Sequence, residues 1–130
     1  MRSIILLITI ITSIAAHAQL KKLKGRWDNQ NGQVLVFQKN NKALWIFYSE
    51  TKSDTFRIQY AANLNTSPSQ LDLSGFSSGP LQGKTLFGIV EFKGRNIIRF
   101  DCEPGKTAEV RPKQFNTEQT QTYYKKQVRR

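Results

Sequence analysis

Apolar residues in this chain recur at every second position or in short runs, and turn residues separate the runs. In residues 55–60 every second side chain is apolar, which predicts a strand with one buried face and one wet face. Similar patterns predict strands at residues 34–37, 43–48, 71–73, 86–92 and 97–102. No segment after Gln19 shows a helical stripe, and residues 115–128 are ambiguous but compatible with a last strand. The chain is therefore predicted to be all-β.

Short turns connect the predicted strands. Asn40 and Asn41 lie between two apolar runs and tolerate the left-handed backbone that a hairpin loop requires. Residues 93–95, Lys-Gly-Arg, form a second compact turn, and Gly88 within a predicted strand indicates a bulge or a close backbone approach. About seven to eight strands joined by successive hairpins predict a small antiparallel up-and-down barrel.

The first 18 residues have the pattern of a signal peptide. Residues 1–3 supply a short positive start, residues 4–14 an apolar stretch, and residues 16–18, Ala-His-Ala, the small-x-small pattern that precedes a cleavage site. The apolar stretch is much shorter than the roughly 20 residues that span a bilayer, so no transmembrane segment is expected. We expect an exported protein, periplasmic or secreted, with one barrel domain over residues 19–130 and a basic C-terminal end.

The chain is strongly basic, with 20 Lys and Arg against 9 Asp and Glu and a formal net charge of +11. Loss of Arg2 with the signal peptide leaves about +10, which favours acidic partners through long-range attraction. The basic residues are scattered along the chain, and most aromatic residues lie on apolar strand faces. The pattern therefore favours core packing over a specific nucleic-acid site.

Several catalytic classes are disfavoured by the residues present. His17 is the sole histidine and lies in the signal peptide, so the mature chain is expected to lack Ser-His and Cys-His pairs and the commonest zinc ligand. Residues 75–79 match G-x-S-x-G, but the following residues do not start a helix as that motif requires. We predict a non-enzymatic protein with no metal or cofactor.

Four carboxylates and the single cysteine are the remaining candidates for chemistry. The carboxylates, Asp72, Glu91, Asp101 and Glu103, leave open a hydrolase that uses carboxylates alone. We expect instead that Glu91 and Asp101 lie on the polar faces of their strands, in an exposed ion cluster with Arg99 and Lys93. Cys102 alternates with Ile98 and Phe100, so it is predicted to be a small buried hydrophobe.

The first predicted strand carries a G-x-W motif, Gly25-Arg26-Trp27. In this it resembles lipocalins and related calycin barrels, in which a basic side chain from a late strand packs over the tryptophan. The resemblance implies that Gly25 and Trp27 close one barrel end, with Arg99 or Arg111 over the indole ring in a cation–π contact.

A longer series of motifs covers residues 24–116. It consists of the G-x-W, then Pro68 with residues 71–73 (Leu-Asp-Leu), then residues 88–90 (Gly-Ile-Val), and finally Arg111-Pro112-x-x-Phe115. The series is similar to a family of uncharacterised bacterial domains best known from planctomycetes, which carries G-x-W, P-x-x-L-D-L, G-I-Y and R-P-x-x-F in this order. The chain departs from that pattern at Val90, where the family has tyrosine. The resemblance implies a fold and no functional site.

Two functions remain open beside the carboxylate hydrolase. The first is a lipocalin-like barrel that binds a small apolar ligand in a pocket, for which the candidate lining residues are Trp45, Phe47, Phe56, Ile58 and Tyr60. The alternative is a basic envelope protein whose surface binds an acidic glycan, lipid head groups or an acidic protein.

Overall fold

The computed structural model describes residues 20–126. Eight antiparallel strands follow one another around a closed barrel, and the last strand pairs with the first. The all-β up-and-down barrel predicted from the sequence is therefore confirmed. The predicted signal peptide and residues 127–130 of the basic C-terminal end lie outside the described residues. The strands are β1 Gly25–Asp28, β2 Gln33–Phe37, β3 Lys42–Tyr48, β4 Ser53–Asn63, β5 Ser69–Ser74, β6 Thr85–Phe92, β7 Ile97–Gly105 and β8 Gln121–Lys125.

Alternate side chains of the strands point into the barrel and form one apolar core. Strand register places Trp27 beside Leu35, Leu35 beside Trp45, and Trp45 beside Phe56, so one apolar row crosses four neighbouring strands. Burial of one large apolar side chain stabilises the fold by about 1.5 to 3 kcal/mol. The alternation visible in the sequence therefore specifies which face of each strand points inward.

The barrel has two different ends, which we call the capped end and the mouth end. The capped end comprises residues 20–24, 38–42, 64–68, 93–96 and 125–126, and residues 20–23 are helical. Leu23 is fully buried there. The mouth end comprises residues 28–32, 49–53, 75–84 and 106–120. No helix of the described residues is long and apolar enough to cross a membrane.

Trp27 joins the helical residues to the barrel at the capped end. Its Nε1 donates a hydrogen bond of 2.7 Å to the carbonyl of Leu23. The ammonium of Lys125 lies 5.5 Å from the centre of the indole ring and donates to the carbonyl of Lys22 at 3.3 Å. Gly25 makes room for this lysine, because a Cβ at that position would lie 3.0 Å from Lys125 Cε.

The cation over Trp27 is thus Lys125, and the expectation of Arg99 or Arg111 was wrong. Lys125 lies opposite Trp27 in the β1–β8 pairing, so both side chains face the same side of the sheet. Arg99 alternates with inward-facing neighbours and lies on the outer face, 4.5 Å from the ring centre of Phe115.

The connection between β7 and β8, residues 106–120, crosses the outer face of β5, β6 and β7; we call it the strap. Its Arg111 makes a bidentate ion pair with Asp72, of which one bond measures 3.0 Å, and also donates to the carbonyl of Gly88 at 2.7 Å. Asp72 in turn accepts a bond of 3.2 Å from the backbone N–H of Gly88. Three separate sequence motifs therefore meet in one contact that holds the strap on the barrel.

The strap also overturns one expectation about the carboxylates. Asp101 is only 3% exposed, because the strap covers it and Thr120 donates to its Oδ2 at 3.1 Å. Its expected place in an exposed ion cluster was wrong. Glu91 does pair with Lys93 at 3.2 Å and with Arg99 at 3.3 Å, as expected.

Gly88 allows a close approach inside the barrel. A Cβ there would lie 2.6 Å from both the carbonyl oxygen of Leu71 and Cε1 of Phe100. Strands β6 and β7 pair without interruption from Thr85 to Phe92, so the glycine marks no bulge. The close approach was therefore the correct one of the two expected reasons for this glycine.

Candidate functional site

An apolar cavity opens at the mouth end of the barrel; we call it the mouth cavity. Its volume is about 410 Å³, within the range of roughly 300 to 1,000 Å³ typical of small-molecule sites. Side chains from β3, β4 and the loop of residues 75–84 form its wall. The lining residues are Trp45, Phe47, Asp54, Phe56, Phe76, Ser78, Pro80 and Leu81.

Four aromatic rings form most of this wall. The ring centres of Trp45 and Phe47 are 4.9 Å apart, those of Phe47 and Phe56 are 5.7 Å apart in an edge-to-face arrangement, and Phe76 lies 6.3 Å from Trp45. Phe47 and Phe56 are only half-buried, although they point to the inner side of the barrel. Their partly exposed rings are the surface that an apolar ligand would cover.

The five predicted pocket residues divide into two groups. Trp45, Phe47 and Phe56 line the mouth cavity. Ile58 and Tyr60 are almost fully buried in the core, where the hydroxyl of Tyr60 donates to the carbonyl of Gln38 at 3.1 Å and burial raises its pKa. The structure therefore places the candidate pocket at one end of the barrel and fills the region around Tyr60 with side chains.

Phe76 and Leu81 belong to the mouth cavity but were not predicted. Both lie in the loop of residues 75–84, which has no strand periodicity from which an inward side chain could be inferred. Phe76 is nevertheless 6% exposed and part of the core cluster. The signal available in the sequence was a large aromatic residue, Phe76, between two loop glycines. That signal does not by itself show that the side chain packs against the barrel.

The barrel wall is incomplete beside the mouth cavity. Residues 53–58 of β4 pair with β3 but not with β5, which pairs with β4 only from Gln59 onward. A groove of about 440 Å³ lies between this part of β4 and Phe76. Phe56 and Phe76 border both the groove and the mouth cavity, so the two lie side by side at this end of the barrel.

A small group of polar atoms lies beneath the aromatic wall. Nε1 of Trp45 is buried and has no hydrogen-bond partner among the described residues. Trp45 also borders a second cavity of about 120 Å³, together with Gln121 and Tyr123. The hydroxyl of Tyr123 lies 2.8 Å from Oε1 of Gln121 and 3.2 Å from Oε1 of Gln33. Burial raises the pKa of Tyr123, but the contact of Trp45 with the Tyr123 hydroxyl acts to lower it, so the indole N–H faces that hydroxyl inside the barrel, too loosely for a hydrogen bond of good geometry.

Burial suppresses ionisation in this part of the barrel. The pKa of the Cys102 thiol is raised to about 12, mainly by desolvation and further by the negative charges of Asp101 and Glu103. Desolvation also raises the pKa of Tyr123. Cys102 packs against the core as predicted, but it is partly exposed and not fully buried as expected.

The catalytic alternatives find little geometric support around the mouth cavity. Ser77 of the G-x-S-x-G match is exposed in a loop that no helix follows, and the described residues contain no histidine. The four candidate carboxylates are absent from the cavity lining, where Asp54 is the one acidic side chain. Within residues 20–126, no group of three or more His, Cys, Asp or Glu side chains is arranged to hold a metal ion.

The fold and this cavity define a small eight-stranded up-and-down barrel with an apolar mouth. No protein-family model, no curated protein and no solved structure matches the chain. The resemblance to the planctomycete domain family stays a prediction.

Proposed function

We propose that this protein is a non-enzymatic binding protein that holds a small apolar ligand in the mouth cavity. The observation that supports this proposal is the half-buried pair Phe47 and Phe56, which lies in a concave aromatic surface although most inward-facing side chains of the barrel are buried. A ligand that covers these rings removes apolar area from water, at about 25 cal/mol per Å². Export by the predicted signal peptide is part of the same proposal.

The ligand class follows from the aromatic wall. Aromatic rings favour a flat or branched apolar body, because such bodies stack on ring faces or meet ring edges. A small aromatic or terpenoid-like molecule has this property.

The first test is a titration with the neutral fluorescent probe N-phenyl-1-naphthylamine. We expect saturable binding that falls by about tenfold or more when Phe47→Ala and Phe56→Ala are combined, because two buried ring contacts are lost. Tyr124→Ala is the matched control, since Tyr124 is 39% exposed on the outer face. Equal losses in the two variants would show that the probe binds elsewhere and would contradict the proposal.

A second test asks whether cells supply a ligand. Native mass spectrometry of protein purified from the producing cells should show extra mass that denaturation releases. The Phe47→Ala, Phe56→Ala protein should carry less of this mass. Extra mass that the double variant retains in full would place the bound molecule outside the mouth cavity.

A further inference from the structure

The charge of the described residues is concentrated at the capped end. Its five segments contain nine Lys and Arg and neither Asp nor Glu. The four segments of the mouth end contain five basic and four acidic residues, so they are nearly neutral. The nine basic residues are Lys21, Lys22, Lys24, Lys39, Lys42, Lys93, Arg95, Lys125 and Lys126. Folding therefore gathers residues that are scattered along the chain into one basic surface.

This surface contains a cavity of about 690 Å³, which we call the capped-end cleft. Three cationic side chains and two polar side chains surround it, over a floor made by Leu64 and Phe92, and no carboxylate lines it. The complete lining is Lys22, Leu64, Ser69, Phe92, Gly94, Arg95, Asn96 and Lys125. The cleft thus combines positive charge with an apolar floor.

One of the three cations is fixed in place. Lys125 lies over Trp27 and donates to the carbonyl of Lys22, so its ammonium is held at the edge of the cleft without a bound ligand. An ammonium has three donors, and this contact uses one of them. Little conformational entropy is therefore lost when an anion binds the remaining donors.

The three cleft cations have no acidic partner among the described residues. The ion pairs found there are Lys93 and Arg99 with Glu91, and Arg111 with Asp72. The acidic residue closest in sequence to Arg95, Glu91, is thus already engaged by two other cations. Like charges gathered without a counter-charge repel one another, and a bound anion relieves that repulsion.

We propose that the capped-end cleft binds the phosphate group of an anionic amphiphile. Lys22, Arg95 and Lys125 contact the phosphate oxygens, because ammonium and guanidinium groups are the usual side-chain ligands of phosphate. Leu64 and Phe92 contact the first apolar atoms of the stem. The site lies at the opposite end of the barrel from the mouth cavity, so either proposal can fail alone.

The test measures co-sedimentation of the full protein with vesicles of phosphatidylglycerol and, separately, of phosphatidylcholine. The salt concentration is about 0.1 M, at which attraction between charges more than roughly 10 Å apart is largely screened. We expect binding to the anionic vesicles only. The double variant Lys22→Gln, Arg95→Gln should bind about tenfold more weakly, since two charge-assisted contacts are lost. Lys125 is left intact because it also supports Trp27.

Two control variants remove the same charge elsewhere. Lys52→Gln, Lys84→Gln acts at the mouth end, and Lys24→Gln, Lys39→Gln acts at the capped end outside the cleft lining. Each should change the binding by about threefold or less, because only long-range attraction is reduced. A loss in the second control equal to that in the cleft variant would show that surface charge alone binds the vesicles, and would overturn the proposal.

Calorimetry with monomeric dihexanoyl phosphatidic acid distinguishes a membrane surface from a soluble amphiphile. Binding of this monomer that the cleft variant weakens supports the proposal with a soluble source, and binding to vesicles alone supports it with a membrane source. Failure of both probes would overturn it. Preferred binding of an acidic polysaccharide, weakened equally in all three double variants, would also overturn it.

Discussion

The two ends of the barrel are formed by the same eight strands but differ in what covers them. At the capped end, the helical residues 20–23 lie against the core, and Leu23 and Trp27 are fully buried. At the mouth end, the loops supply Phe76 and Leu81 as cover, and Phe47 and Phe56 remain half-buried. The difference shows that the segment covering an inward-facing aromatic residue decides whether that residue is fully buried or stays partly exposed.

Charge follows the same division. The apolar, nearly neutral mouth end is suited to an uncharged ligand, and the basic capped end is suited to an anion. Lys125 takes part in both features of the capped end, because its side chain packs over the buried Trp27 and also lines the basic cleft. Substitutions at the two ends should therefore change the free energy of unfolding by different amounts.

The largest expected effect is at the capped end. Trp27→Ala removes a fully buried indole and its bond to Leu23, and should lower the free energy of unfolding by about 3 to 5 kcal/mol. Phe47→Ala, at the half-buried mouth, should cost about 1 kcal/mol. Urea unfolding monitored by far-UV circular dichroism compares the two proteins. Similar costs would mean that the mouth is packed as tightly as the capped end.

The next effect concerns the strap, which leaves and re-enters the barrel at the mouth end. Arg111→Met removes the ion pair with Asp72 and the hydrogen bond to the carbonyl of Gly88, and leaves the Gly88 N–H as the remaining donor to Asp72. It should cost about 2 to 4 kcal/mol in urea unfolding. Glu91→Gln is the control, because it weakens a more exposed ion pair that is worth less than about 1 kcal/mol. If Arg111→Met cost no more than the control, the strap would be held by other contacts.

Most of the fold could be predicted because alternation is a local property of the chain. Residues 55–60 and the hairpin formed by residues 86–92 and 97–102 show the inward and outward positions directly, and the structure confirms these strands. The cover provided by the strap could not be predicted. Asp101 alternates as an outward residue should, but the strap that buries it is brought there by an ion pair between residues 72 and 111.

The candidate sites were harder to predict than the strands. Trp45, Phe47 and Phe56 were predicted to line a pocket and do line the mouth cavity. Ile58 and Tyr60 follow the same alternation but lie further along the barrel axis, where they are buried in the core. Lys125 was missed as the cation over Trp27 because the pairing of β8 with β1 is a long-range contact. Sequence spacing does not show which late strand closes a barrel.

A smaller effect tests how tightly the middle of the barrel, between its two ends, is filled. Gly88→Ala places a methyl group 2.6 Å from Phe100 Cε1 and from the carbonyl of Leu71, so it should cost about 1 to 3 kcal/mol. Gly94→Ala, whose Cβ would meet nothing within 4 Å, is the control for loss of a glycine, although its φ of +91° adds backbone strain. A cost at Gly88 below that at Gly94 would show that the middle of the barrel has unused space.

A pH-dependent effect measures how strongly the Cys102 thiol is desolvated in the folded protein. Cys102 has a folded-state pKa of about 12 against an ordinary value of 9.0, so the folded protein holds this proton more tightly than the unfolded chain does. Its contribution to stability is therefore complete below pH 9 and is lost as the pH rises toward 12, by at most about 1.4 kcal/mol per pH unit.

Cys102→Ala should consequently lose less stability than the unaltered protein between pH 9 and 11 in urea unfolding. Besides desolvation, the negative charge of the Cys102 thiolate raises the pKa of Tyr123, so the difference between the two proteins reports both buried groups together. Parallel profiles would mean that burial does not hold the proton on this thiol. A widening difference would show that the Cys102 thiol is desolvated in the folded protein, although the residue is partly exposed and borders the cavity of about 120 Å³ below Trp45.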